Sequence, residues 1–388
     1  MDPFLTEEQI MLRDSVREFT ARYCPPDEVR KWDEERTFPR HVYDAMAEHG
    51  YFGIGVDEEH GGSGGDIVDQ AVMVEELVRA MQGSAIMWLN TSCFGGKSVG
   101  LYGTPDQKRK LLPDLAAGKL FFAISVTEPG GGTDVLGHLE TQSRRVEGGW
   151  LVNGRKIYTT CADIADYILL ATRSKPKEEL KKKSDGVTLF LFPAKSKGVM
   201  LRPVPTFGQL TVEHFEVTYD NVFIPDEYVL GEPHEGWKEL IQTINNERIL
   251  TAAFGLGCAQ AALDDAIAYA KVREAFGRPI GGFQAIAHHI ANMAMAIETS
   301  RLMTHKAAWM QSRAIPCAKE AAMAKVVATE AGTMCADLGI QILGGYGMTW
   351  AAHMQRYWRD GRVMRIGPVS NEVARSFIGT ELGLPRSY

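Results

Sequence analysis

Phe121-Phe122-Ala123-Ile124-Ser125-Val126, followed by Thr127-Glu128-Pro129-Gly130-Gly131-Gly132-Thr133-Asp134, is where the chain changes texture. The first six residues are a short, aromatic-rich apolar run and read as a buried strand. Three successive glycines then let the backbone approach a ligand. Their N–H groups can form an anion-binding concavity, and two threonine hydroxyls add donors. No Lys and no clear helix follow, so this is not a nucleotide-binding P-loop. Taken alone, it is equally a tight connection between strands.

Upstream, residues 1 to about 120 read as helical. Thr6 with Gln9 three residues later is a capping box, and Ile10, Leu12, Val16 and Phe19 recur at helical spacing. Val72, Val74, Leu77 and Val78 do the same, and Pro105 after Thr104 opens another helix. Downstream, 149–154, 167–171, 187–192 and 214–219 are strands bounded by turn residues. Lys181-Lys182-Lys183 between two of them reads as a solvated loop, or else as a phosphate contact. From Gly236 onward, 237–271, 282–312 and 317–340 are long, Ala- and Met-rich helices that pack as a bundle. The fold class is therefore α+β multidomain. An N-terminal α-helical domain (1–120) precedes a middle antiparallel β domain (121–233) and a C-terminal four-helix bundle (234–388).

The formal net charge of −7 does not favour nucleic acid or an anionic membrane as a general partner. Six cysteines, at 24, 93, 161, 258, 317 and 335, form no CxxC pair and no cluster with zinc spacing. They read as reduced thiols, with no metal site. Met1-Asp2-Pro3-Phe4 leads straight into the first helix without a basic start and apolar run, and no window approaches the roughly 20 apolar residues of a membrane span. A cytoplasmic protein is expected.

Two more segments matter. Arg273-Glu274-Ala275-Phe276-Gly277-Arg278-Pro279-Ile280, then Phe283-Gln284, lies between two long helices, where arginines either pair with phosphate oxygens or complete a helix C-terminus. Gln341-Ile342-Leu343-Gly344-Gly345-Tyr346-Gly347, leading to Arg359-Asp360, is a Gly-rich break after a helix.

Together the three segments, in this order within an α–β–α texture, resemble the signatures of the acyl-CoA dehydrogenase family over essentially the whole chain. The resemblance implies FAD as cofactor, with the β-domain loop lining the flavin. Thr127, Gly132 and Thr133 match FAD contacts, and Thr133 also lies near the coenzyme A arm. Tyr158-Thr159-Thr160 matches an aromatic-x-Thr segment, usually opened by Trp, in which Tyr158 and Thr160 meet the isoalloxazine. Arg273, Phe276, Gln284, Gln341 and Gly345 match contacts to the FAD diphosphate and adenosine, partly from a neighbouring subunit; Ser370 joins the cofactor set. A homotetramer, or a homodimer, is implied.

The family reaction removes an α-proton from an acyl thioester and passes the β-hydride to the flavin. Most members carry the basic Glu in a Tyr-Glu-Gly-Thr-Asn-Glu run. Here that run is Gly367-Pro368-Val369-Ser370-Asn371-Glu372, which puts Pro368 at the base position and Glu372 at the second Glu. Pro has no titratable group and no N–H to polarise a thioester carbonyl. A minority, similar to isovaleryl-CoA dehydrogenases, places the base on a bundle helix before an Arg, and Asn246-Glu247-Arg248 fits that pattern. Glu247 is then the base. Arg248 is a substrate contact whose head group diverges from Glu247 by about 100° around the helix.

The implied function is FAD-dependent α,β-dehydrogenation of a short, branched or substituted acyl-CoA, with electrons passed to an electron-transfer flavoprotein. Trp88, Phe94 and Tyr102 either shorten the acyl pocket or belong to the core. The alternatives are altered chemistry, as an enoyl-CoA reductase or in redox-neutral acyl-CoA cleavage, and a non-catalytic flavoprotein.

Overall fold

The computed structural model describes residues 5–386 of 388. Residues 1–4, on which part of the no-leader expectation rests, lie outside the described residues. Among the described residues seven α-helices come first: α1 (Glu7–Tyr23), α2 (Pro26–Glu35), α3 (Arg40–Glu48), α4 (Ile67–Met81), α5 (Ile86–Trp88), α6 (Lys97–Tyr102) and α7 (Pro105–Ala116). Thr6 and Gln9 form the anticipated reciprocal cap of α1, and Thr104 with Gln107 caps α7 in the same way. Between α5 and α6, Leu89–Gly96 winds as a π-helix, a widened turn found mostly at functional sites.

The middle of the chain is one eight-stranded sheet: β1 (Phe122–Ser125), β2 (Gln142–Val146), β3 (Gly149–Thr160), β4 (Tyr167–Arg173), β5 (Val187–Pro193), β6 (Val199–Pro203), β7 (His214–Pro225) and β8 (Val229–Leu230). The order is β6-β7-β3-β2-β4-β5-β8, with β1 also on β4. The sheet is not purely antiparallel. β1 runs parallel to β4 from Phe122↔Tyr167 to Ser125↔Leu170, and β2 meets β4 in parallel at Gln142↔Arg173. The long excursion between β1 and β4, which holds the glycine loop and the β2–β3 hairpin, supplies the crossover that parallel pairing needs.

The rest is helical: α8 (Gly236–Val272), α9 (Gln284–Ser312), α10 (Ala318–Leu343), α11 (Met354–Val363) and α12 (Asn371–Glu381). A two-stranded hairpin, β9 (Glu274–Ala275) and β10 (Arg278–Pro279), joins α8 to α9. α8 and α10 touch backbone to backbone: a Cβ on Gly255 would lie 2.5 Å from the Ala328 carbonyl oxygen, and one on Gly332 2.8 Å from that of Gly255. Gly257 does the same for α4, with the Glu75 carbonyl oxygen 2.6 Å from its would-be Cβ. Residues 318–348 are apolar and long enough to cross a membrane, but 61% of the most apolar window is buried inside the protein, as befits a core helix. α11 ties the three parts together. Buried Asp360 accepts from the N–H of Gly83 (2.9 Å) and of Gln209 (2.5 Å), and Arg359 pairs with buried Asp33 of α2.

Candidate active site

Glu247 lies on α8, buried against the π-helical segment, close enough to Cys93 for the carboxylate to disfavour its thiolate. Loss of hydration pushes the Glu247 pKa up to about 7, against smaller opposing effects of the Thr243 hydroxyl and Arg248. Thr243 Oγ1 sits one helical turn back, 3.1 Å from Glu247 Oε1 and 2.9 Å from the Leu240 carbonyl. A protonated Glu247 can donate to that hydroxyl while Thr243 donates to Leu240; an ionised one can receive the hydroxyl proton instead. Arg248 turns away, as helical geometry requires. Its guanidinium lies 4.7 Å from the centre of the Phe377 ring and reaches toward Asn245 and the Ala318 carbonyl.

Glu372 has the opposite environment. It is exposed in the first turn of α12, and its own N–H, the Ser370 hydroxyl, Arg365 and Arg375 hold its pKa below the usual carboxylate value. Ser370 itself caps α12, its hydroxyl accepting from the Val373 N–H.

The glycine loop and the aromatic-x-Thr segment come together. Ile157 N–H donates to the Thr127 carbonyl (2.9 Å), so Thr127 lies beside Tyr158. Tyr158 sits in a bulge of β3 with φ 61° and is 57% exposed: an aromatic residue held outward by an irregular backbone. Gly132 has nothing within 4 Å of a would-be Cβ, whereas one on Gly131 would lie 2.4 Å from His138 Cβ. Gly132 is thus free to meet a ligand, and Gly131 shapes the loop. Thr133 is exposed and Thr127 half-buried.

Behind this surface is an anchor that sequence reading did not find. Fully buried Lys156 donates to the Val126 carbonyl (2.8 Å) and to Glu128 Oε1 (2.9 Å). Glu128 also accepts the N–H groups of Glu140 and Thr141 (2.8 Å each). Burial lowers the Lys156 pKa to about 8; for Glu128 it acts upward, but Lys156 and the two N–H groups outweigh it, so the pair is charged at neutral pH. Thr159 Oγ1 meets Ser125 Oγ (3.0 Å), which accepts from Tyr219 (2.9 Å). Asn90 of the π-helix donates to the Thr160 carbonyl (3.2 Å), and Thr160 Oγ1 lies 2.9 Å from His214 Nδ1. One π-helical segment therefore contacts both α8, which bears Glu247, and the strand of Thr160. Of the aromatics named for the acyl pocket, Trp88 is fully buried and bonded to the Tyr51 carbonyl, so it is core. Phe94 is half-buried, and Tyr102 donates to Gln242 of α8 (2.7 Å).

The remaining predicted residues sit elsewhere. Arg273, Phe276, Gln284, Gln341 and Gly345 are all exposed, and Phe276 is 95% exposed at the tip of the β9–β10 hairpin. Tyr269 of α8 stacks on Tyr346 (6.0 Å), which brings the Gly-rich break to the end of α8 that carries Arg273. Along α8, about 26 residues, hence about 39 Å, separate Glu247 from Arg273. Within one chain, Glu247 and Arg273 stay at opposite parts of α8.

An open glycine loop, an outward aromatic and exposed Arg and Gln side chains suit a planar cofactor with a diphosphate. Comparison with known proteins agrees. Family models match residues 6–119 (acyl-CoA dehydrogenase, N-terminal domain), 123–222 (middle domain) and 234–383 (C-terminal domain). The chain belongs to the acyl-CoA dehydrogenase family, FAD-dependent flavoprotein oxidoreductases that act on CH–CH groups. It is 34% identical to a probable acyl-CoA dehydrogenase, YngJ, of Bacillus subtilis, over 97% of this chain and 98% of the relative. It is 32% identical to the caffeyl-CoA reductase-Etf complex subunit CarC of Acetobacterium woodii, over 97% and 98%. Butyryl-CoA dehydrogenase from Megasphaera elsdenii superimposes with a TM-score of 0.93 at 30% identity, covering 98% of this chain and 100% of that one.

Proposed function

We propose that this protein catalyses α,β-dehydrogenation of a short, branched or substituted acyl-CoA thioester, with Glu247 as the α-proton base. The observation that carries the reading is a buried carboxyl with a pKa of about 7 on α8, while Pro368 holds no proton and Glu372 is exposed and acidic. A base poised near neutrality is what proton abstraction next to a carbonyl requires. Thr127, Gly132, Thr133, Tyr158 and Thr160 hold the flavin end of FAD, which when bound supplies the hydride acceptor. Arg273, Phe276, Gln284, Gln341 and Gly345 hold the diphosphate and adenosine of FAD in a second copy. The electrons pass to an electron-transfer flavoprotein, the kind of partner that the name of the Acetobacterium relative contains. We place the reaction in the cytoplasm, where buried free thiols stay reduced.

The separation along α8 supports an oligomer in which chains complete one another's sites, with the homotetramer as the reading and the homodimer as its smaller form. So does α9, where Met295, Leu302 and Trp309, seven residues apart, are 60%, 50% and 52% exposed along one stripe. Light scattering at micromolar concentration should give at least twice the chain mass of 42.9 kDa; a monomer mass would refute the assembly.

The purified protein should be yellow, with one FAD per chain, and should bleach anaerobically with one thioester in a screen of acyl-CoAs. A colourless protein that stays so after incubation with FAD would overturn the reading. Arg273→Ala should weaken FAD retention at least tenfold, the scale of one charge-assisted contact to a phosphate. An unchanged dissociation constant would reject that role. A second reading, enoyl-CoA reduction, draws on Pro368, which removes an N–H donor, and on the reductase named among the relatives. A protein that is reoxidised by enoyl-CoA but not bleached by any saturated thioester would favour it.

A further inference from the structure

We propose that His214 is a positioning residue that fixes the direction of the Thr160 hydroxyl and thereby stabilises the reduced flavin over the oxidised one. This rests on the proposed placement of Thr160 at the flavin. Thr160 and His214 are directly paired across β3 and β7, with Thr160 Oγ1 2.9 Å from His214 Nδ1. His214 is buried, and burial alone pushes its pKa down to about 4, so the ring is neutral in the working range. The backbone around the pair is held independently. Asn90 takes the Thr160 carbonyl, Ser125 holds Thr159, and the Val204 N–H takes the His214 carbonyl (2.7 Å). The hydrogen bond that His214 adds to this frame is the one to the hydroxyl.

A hydroxyl has one proton and two lone pairs. His214 is assigned the Nε2–H tautomer, in which Nδ1 accepts the Thr160 proton and the oxygen turns a lone pair outward. That orientation suits a flavin edge that carries N–H, the reduced form. Without His214, Thr160 is free to point its proton outward, which suits an edge bearing only a lone pair, the oxidised form. The imidazole therefore acts on the redox equilibrium through Thr160 rather than by touching the cofactor.

The test is the flavin midpoint potential of the holoenzyme, measured by dye equilibration without substrate. His214→Leu should lower the reduced-to-oxidised ratio at fixed potential about tenfold, equivalent to about 30 mV for a two-electron couple. His214→Asn, which keeps a short polar partner for the hydroxyl, should recover most of this. Thr160→Val should shift the potential by itself, and adding His214→Leu to it should change nothing further, because the two act as one unit. If His214→Leu fails to fold, His214→Ala takes its place: a fall of the same size that vanishes on Thr160→Val supports the proposal, and an unaltered potential overturns it. An unaltered potential in His214→Leu, equal shifts in Leu and Asn, or additive shifts with Thr160→Val would overturn it. Lack of FAD binding by the parent would instead overturn the flavin-site reading on which it rests.

Discussion

Glu247→Gln should keep FAD and bind thioester, yet slow flavin reduction by two orders of magnitude or more, the range for loss of a general base. Anaerobic stopped-flow bleaching with the best thioester from the screen measures it. In the parent the reduction rate should rise with pH through about 7, as the buried carboxyl loses its proton; the variant should lack that rise. Stability moves the other way. Between the ordinary carboxylate pKa of 4.5 and about 7 the folded chain holds a proton that the unfolded chain releases, so folding stability falls as pH rises through that window. At about 1.4 kcal/mol per unit, the penalty above pH 7 is on the order of 3 kcal/mol. Gln carries no such penalty, so the variant should melt higher than the parent at pH 8 and alike at pH 4.5. Parental bleaching rates in Glu247→Gln would make Glu247 structural and shift the search to Glu372 or to chemistry without a carboxylate base.

Lys156→Met should cost about 3–5 kcal/mol of stability, because it strands the Glu128 carboxylate in the interior and leaves the Val126 carbonyl without its donor. The loss should also reach the cofactor. Lys156 ties β3, two residues before Tyr158, to the loop that carries Thr127, Gly132 and Thr133, so FAD retention should fall in the same variant. Adding Glu128→Gln removes the stranded charge and should restore part of the stability but not the FAD affinity. A denaturant midpoint that gives less than about 1 kcal/mol of loss would show the pair to be dispensable.

The N-terminal helices, five strands of the sheet and the long C-terminal helices were legible because apolar periodicity and turn residues are local signals. β2, β6 and β8 were not: β2 is Gln-Ser-Arg-Arg-Val, β6 is exposed along most of its length, and β8 has two residues. Their pairing comes from neighbours, not from their own pattern. The parallel contact of β1 with β4 was invisible for the same reason. In the candidate site, Glu247 and the glycine loop were singled out through their motifs. Lys156 and His214 were passed over because a lone Lys or His in a strand is usually surface. Part of the signal was there, since Trp150 and Val152, which share the parity of Lys156 along β3, are apolar and buried, but the bulge before Thr159 breaks the alternation. Only tertiary structure shows that Lys156 faces Glu128 and that His214 faces Thr160. The packing of Arg248 over Phe377, likewise, is a tertiary contact that its motif position does not announce.

The distance along α8 from Glu247 to the exposed hairpin has a genetic corollary. On the proposed assembly each chain lends its carboxylate to one cofactor and its hairpin to another, so the two ends of α8 answer for different centres. A chain defective at Glu247 would poison only the centre it serves as base, while still completing its neighbour's. Two alleles, one broken at each end of the helix, would then rebuild one whole centre in a mixed assembly, so such alleles complement each other where two copies of the same allele do not.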